Sequence, residues 1–332
     1  MTRADVAHSF RAMASQVTAR LIDPMDSRVT PGGSAEMALA RVEAIFADVE
    51  RTCSRFDSSS DLMRANAQPE EWTAVAPSCF DVIELASAAY RRTGGAFDPR
   101  VLRTLTAMGY DRSLDFSGGA VRTADADLPA GWAREPWQPE FDRAGLRVRL
   151  GADPIDLGGI GKGYAVRRGL EALAGLGRTA LVEAGGDLAT YGDGPERDPG
   201  EVRAWRAAVE DPRAAHDDTA RSIAVIDVSD AAVATSSIKL RNWRAGDRAV
   251  HHLIDPRTGE PAAAGLLSVT VVDEDPAWAE VWTKAAFLQG ADAVEAFACE
   301  AGIAALWVDV DGRLHSSEAM ADRILWEAPD VR

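Results

Sequence analysis

The stretch GLRVRLGADPIDLGGIGKGYAVRRGLEALAGLGRTALVEA, residues 145–184, decides the fold class. A β run at 146–150 and a second strand ending in Asp156 lead through glycines into a helical stretch at about 161–175, and another β run follows at 178–184. Further along, β runs at 203–209, 222–228, 267–273 and 303–310 are joined by helical stretches only at 277–289 and 291–301. Upstream, 16–22 reads as a strand, and 34–50 as a helix whose Leu39, Val42, Phe46 and Val49 recur at helical spacing. Ser78, with Asp81 three residues on, is the expected N-cap of a helix that Gly94 and Gly95 stop. Strands outnumber helices without alternating with them, which disfavours a doubly wound parallel sheet. The pattern predicts an α+β fold with a mixed or antiparallel sheet core and flanking helices. There is no internal repeat with a period of 20 to 50 residues. Gly118, Gly119, Pro129, Pro136 and Pro139 mark 117–142 as a long loop, and 189–200 and 211–220 read similarly. The expected organisation is one domain over 1–332 with a loop insertion around 117–142.

The 332 residues carry 36 Lys plus Arg against 52 Asp plus Glu, a net charge of −16. That excludes a nucleic-acid reader, because phosphate-backbone binding needs a basic face. A phosphorylated ligand must find local positive charge. An apolar content of 46% is enough for a packed core. Cys53, Cys79 and Cys299 are widely spaced and lack zinc-site spacing, so neither a structural zinc nor a disulfide framework is expected. With no signal-like apolar segment at the start and no long apolar run, the chain reads as soluble, cytoplasmic and without a membrane anchor. Its only lysines are Lys162, Lys239 and Lys284.

Chemistry gathers in a few segments. In IDLGGIGKGYAV (155–166), glycines lead into a helix start, where backbone N–H groups favour an anion. A P-loop would need Gly at Asp156 and Ser or Thr at Gly163, and the dinucleotide fingerprint would need Gly at Tyr164. Glycines alone leave a tight turn and a ligand loop both open; Lys162 tilts the reading towards a ligand. In HHLIDPRTGEP (251–261), His252 precedes a rigid turn and is a candidate general base. RFDSSSDLMRAN (55–66) and TGGAFDPR (93–100) each set an aromatic beside short polar groups and a carboxylate, either a ring-stacking wall or ordinary turn chemistry. In AEVWTKAAFLQG (279–290), Glu280 and Lys284 share a helix face as an ion pair, while Glu280 with Thr283 offers hard oxygens to Mg²⁺.

These segments, together with Met13-Ala14-Ser15, EAGGDL (183–188) and AVATSS (232–237), stand in one order over nearly the whole chain. In that order the sequence resembles the FAD:protein FMN transferase, or ApbE-like flavin transferase, family. The resemblance implies an ApbE-like, T-fold-like version of the α+β architecture. It also implies an enzyme that splits FAD, joins FMN through a phosphoester to a Thr or Ser of an acceptor flavoprotein, and releases AMP. FAD hydrolysis to FMN and AMP, and flavin binding without turnover, are the alternatives. By the same resemblance His252 is the base, and Met13, Phe56, Ala96, Phe97, Asp98, Asp156, Lys162 and Leu253 hold FAD, with Asn66 a weaker member of that wall.

The metal position departs from the resemblance. Relatives have an oxygen donor at Gly159 and an Asp and Thr on the late helix, where this chain has Glu280 and Lys284. A protonated lysine has no lone pair for Mg²⁺. The expected metal set is therefore Gly159, Glu280 and Thr283, with Mg²⁺ weakened or displaced because Lys284 partly stands in for it at the diphosphate. Arg167, where relatives commonly carry Asp, is expected either to add charge near the phosphates or to face solvent.

Overall fold

Eight strands, each antiparallel to its neighbours, form one sheet in simple chain order: β1 (Asp5–Ala12), β2 (Ser15–Pro24), β3 (Gly177–Ala184), β4 (Asp187–Tyr191), β5 (Ala232–Ser237), β6 (Leu266–Asp273), β7 (Ala304–Asp309) and β8 (Leu314–Ser316). The computed structural model describes residues 5–24, 33–114, 116, 121–124, 135–195, 204–214, 221–239, 241–329 and 331. The central strands of the sheet are buried on both faces. Ala180, Val182, Ala184, Ala189, Ala232 and Ala234 line one face, and helices α1 (Ser34–Cys53), α2 (Asp61–Ala67), α3 (Pro77–Arg92) and α4 (Gly161–Leu173) contribute to the same core. Leu181, Leu188 and Val233, on the alternate positions, pack against a three-stranded sheet of Ile324–Glu327, Ser222–Asp227 and Arg206–Glu210. The period-2 pattern of the strands thus feeds two cores.

Small residues on the helical side let the helices come close. A methyl group on Gly169 would lie 3.0 Å from Val42 Cγ1, so α4 meets α1 at a glycine. Helices α5 (Pro276–Phe287) and α6 (Val294–Ala301) cover β6 and β7 with Trp282, Phe287, Val294 and Ala298. Pro276 opens α5, and the Asp275 carboxylate caps it by accepting from Ala277 N–H at 2.9 Å.

Several local expectations change. Ser78 does not cap α3, which starts at Pro77 after Ala76; its hydroxyl instead meets Thr52 Oγ1 at 3.1 Å. Gly94 and Gly95 do stop that helix, both at positive φ, with Gly95 N–H reaching Tyr90 O at 2.8 Å. The loop expected at 189–200 begins inside β4, because Gly185 and Gly186, both at positive φ, close a two-residue hairpin between Ala184 and Asp187. Asp156 does not end a strand; 152–157 belongs to no strand or helix, and Asp156 N–H donates to Pro99 O at 2.7 Å. Of 117–142, residues 117–120 and 125–134 lie outside the described residues, while Glu140–Asp142 pairs with Arg147–Arg149.

Candidate active site

The N-termini of α4 and α5 meet at Gly163. A methyl group there would lie 2.5 Å from Pro276 O and 2.6 Å from Ala277 Cα, so packing of the two helix ends demands glycine. One turn into α5, Glu280 is 1% exposed. Its Oε2 accepts from Gly163 N–H at 2.8 Å; its Oε1 accepts from Lys162 Nζ at 3.1 Å and faces Lys284 Nζ at 3.5 Å. Lys284 also donates to the Glu280 carbonyl at 3.1 Å. Lys162 pairs in addition with Asp187, the first residue of β4, whose other oxygen accepts from Thr235 N–H at 3.3 Å. The result is a four-membered charge network tying α4, α5, β4 and β5 together. Burial favours the neutral Glu280 carboxyl, but the ammonium groups of Lys162 and Lys284 and the Gly163 N–H outweigh it and hold the carboxyl at about 2. Burial also acts against the Lys162 cation, yet Asp187 and Glu280 raise its pKa. For Lys284, burial and the neighbouring Lys162 win over Glu280 and lower it.

Of the two histidines only one has a nitrogen to spare. His251 Nδ1 accepts from Leu253 N–H at 3.3 Å and its Nε2 meets Ala262 O at 3.1 Å, so both ring nitrogens are used. His252 Nδ1 lies 3.3 Å from Arg241 O. A carbonyl only accepts, so Nδ1 carries the proton and Nε2 keeps its lone pair, with no partner for it among the described residues. Burial, then the charges of Arg241, Lys284 and His251, push the His252 pKa well below its ordinary 6.5. The ring is neutral and able to accept a proton.

The walls come from elements far apart in sequence. Met13 and Ala14 turn the β1–β2 hairpin at φ 51° and 57°, a conformation unfavourable for residues other than glycine. A methyl group on Gly161 would sit 3.4 Å from Met13 Cε, so that strained turn leans on the start of α4. Phe56 is 43% exposed. Behind it the Arg55 guanidinium lies 4.1 Å from the Phe56 ring centre and 4.3 Å from that of Tyr110, and donates to Tyr110 O. Arg55 Nε also meets Asp156 Oδ2 at 3.4 Å, while Asp156 Oδ1 accepts from Gly158 N–H at 2.6 Å. Phe97 is buried, and a methyl group on Gly159 would lie 3.2 Å from its ring and 3.0 Å from Lys284 Cε. Ala96 and Leu253 pack on one apolar cluster.

A family model described as the ApbE family matches residues 13–307. The chain belongs to the ApbE family. An FAD:protein FMN transferase of Klebsiella pneumoniae is 27% identical over 285 residues, covering 84% of this chain and 78% of that protein. One from Treponema pallidum is 27% identical over 310 residues, covering 89% and 83%. Among solved structures, the ApbE protein of Thermotoga maritima matches with a TM-score of 0.75 at 27% identity, covering 96% of this chain and 98% of that one. The apo form of Pseudomonas stutzeri flavinyl transferase ApbE matches with a TM-score of 0.78 at 25% identity, covering 98% of each.

Within this ApbE-family fold, the residues singled out in the sequence take two kinds of place. Lys162, Glu280 and Lys284 form one cluster, while His252 and Asp156 each keep oxygen or nitrogen lone pairs near it or along the same loop. Asn66 serves differently, because its amide clamps Ile155, donating to Ile155 O at 2.8 Å and accepting from Ile155 N–H at 2.8 Å. It shapes the loop that carries Asp156 and is not a wall. The Asp98 carboxylate is committed to Arg100, at 2.7 Å from its guanidinium. Arg167 is spent on the cap of α5: it donates to Asp275 at 2.6 Å, with its side chain only partly exposed. The expected Mg²⁺ set does not fit. Glu280 already meets three donors, and the Thr283 hydroxyl, fully buried, is spent on Glu280 O at 2.8 Å and Ser236 Oγ at 2.7 Å. Lys284 fills the space beside Gly159. Among the described residues no group of three or more His, Cys, Asp or Glu side chains could hold a metal ion. Asp187, Arg55, Tyr110 and Arg241 were missing from the sequence-derived set; for Asp187 the signal was present, an acid directly after the Gly-Gly turn of EAGGDL.

Proposed function

We propose that this chain, acting as one unit, transfers FMN from FAD to a Thr or Ser hydroxyl of an acceptor protein and releases AMP. The observation that carries the reading is His252, a neutral imidazole whose Nε2 lone pair is left free by the hydrogen bond from Nδ1–H to Arg241 O. Its setting supports the same reading: a family whose named relatives include FAD:protein FMN transferases. In the reaction, His252 Nε2 takes the proton of the acceptor hydroxyl as its oxygen attacks the FMN phosphorus. The bond from that phosphorus to the bridging oxygen breaks, and AMP leaves with the electron pair. The lysine network keeps the site rigid while charge shifts between the two phosphates. Met13, Phe56, Ala96, Phe97, Asp156 and Leu253 are the proposed flavin and nucleotide contacts, with Asp98 and Asn66 supporting them through Arg100 and Ile155.

In this reading Lys284 occupies the position expected for a metal ligand, and no step passes through Mg²⁺. The test is to incubate the protein with FAD and a Thr-bearing acceptor peptide and look for covalent flavin by in-gel fluorescence. A fluorescent peptide is the expected result. Free FMN without labelled peptide would mean hydrolysis, and unchanged FAD would mean a binding protein; either overturns the proposal.

A further inference from the structure

The lysine network is neutral as a whole. Lys162 and Lys284 contribute two positive charges, and Asp187 and Glu280 cancel both. A diphosphate with two negative charges therefore meets no net charge from these four groups, and taking it out of water unpaired is costly. The charge left over belongs to Arg241. It lies just before the short strand Asn242–Ala245, half-buried, and its carbonyl accepts from both the ring Nδ1–H and the backbone N–H of His252, each at 3.3 Å. That pair of bonds fixes Arg241 beside the base. Its guanidinium has no hydrogen bond or ion pair among the described residues. Three other shielded arginines are held by carboxylates: Arg100 by Asp98 at 2.7 Å, Arg167 by Asp275 at 2.6 Å, Arg55 by Asp156 at 3.4 Å. The charge of Arg241 lies close enough to oppose protonation of His252, and more weakly that of Lys162 and Lys284.

We propose that Arg241 grips the diphosphate of FAD, its guanidinium fork on two non-bridging oxygens of the phosphoryl group that is transferred. A planar fork matches that geometry, and a guanidinium stays charged at any working pH. With the metal position filled by an ammonium that Glu280 already neutralises, Arg241 supplies the charge that no metal supplies here. The same contact holds the phosphorus near His252 Nε2. This assignment rests on the site being one for FAD.

The experiment measures binding of FAD and of riboflavin, which has no phosphate, by flavin fluorescence quenching in wild type, Arg241→Ala and Arg241→Lys. Arg241→Ala should weaken FAD by about 10- to 100-fold, the range of a charge-assisted pair, and leave riboflavin within about twofold. Arg241→Lys should restore most of the FAD affinity but not the single-turnover transfer rate, because one ammonium cannot make the forked contact. Unchanged FAD affinity in Arg241→Ala overturns the assignment. So does an equal loss of FAD and riboflavin in both variants, which would mark a structural role. If wild type binds both flavins and Arg241→Ala loses only FAD, but no peptide is labelled, the transfer reading fails and the grip stands. If wild type binds neither flavin, both fall.

Discussion

Replacing Glu280 with Gln keeps its shape and removes its charge at the centre of the network. The carboxylate is 1% exposed and accepts from Gly163 N–H at 2.8 Å and Lys162 Nζ at 3.1 Å, with Lys284 Nζ at 3.5 Å. Two magnitudes agree on the cost. A folded pKa of about 2 against an ordinary 4.5 is a difference of 2.5, or about 3 kcal/mol at 1.36 kcal/mol per unit. Breaking a buried ion pair by removing one partner costs about 3–5 kcal/mol. The sign is set by the depressed pKa. The contribution is fully present above the unfolded value near 4.5 and disappears as pH falls towards 2. Urea unfolding at pH 7 should therefore place Glu280→Gln about 3 kcal/mol below wild type, and the gap should shrink as the pH is lowered from 5 to 3. Glu280→Gln combined with Lys284→Met removes a cation along with the anion and should recover about half of the loss or more. A single variant within about 1 kcal/mol of wild type at pH 7, or a gap that does not depend on pH, would contradict a buried, charge-paired Glu280.

His252→Ala should keep FAD affinity and slow transfer by about 10²-fold or more, the scale of a removed base. Because burial and three neighbouring cationic or imidazole groups oppose its protonation, the acid limb of kcat/KM should fall below pH 6.5, and a limb above that value would contradict the assignment. Gly163→Ala should lower stability by about 1–3 kcal/mol in urea unfolding, since a methyl 2.5 Å from Pro276 O meets rigid backbone and the helix-propensity gain from Gly to Ala is at most about 1 kcal/mol. Gly161→Ala, whose methyl meets only the flexible end of Met13 at 3.4 Å, should be tolerated, and equal losses in the two variants would refute the packing argument.

The architecture was largely legible because periodicity is local. The helix expected at 161–175 is Gly161–Leu173, and the strand expected at 267–273 is Leu266–Asp273. β1 is not legible in the sequence because DVAHSFRA is an edge strand, half polar and with six of its eight positions at least partly exposed, and its pairing with β2 depends on a hairpin turn made by Met13 and Ala14 in place of glycine. The candidate site was legible in its pieces and hidden in its connections. Lys162 and Glu280 each stood in a recognisable segment, but their bond spans 118 residues and exists only because α4 and α5 meet end to end. Asp187 completes the network from a hairpin that brings it back beside β5. Arg241 has no motif of its own; its importance comes from the charges that surround it and from the histidine ring bound to its carbonyl. Glycines that looked like room for a ligand proved to be of two kinds, Gly163 a packing requirement and Gly159 the floor under Lys284.

In the proposed function the protein's own cations, with no divalent ion, hold the diphosphate. Calorimetric titration of FAD into the protein in EDTA, and again in saturating Mg²⁺, tests it most directly. The affinities should agree within about threefold. Binding that is lost in EDTA and restored by Mg²⁺ would contradict it.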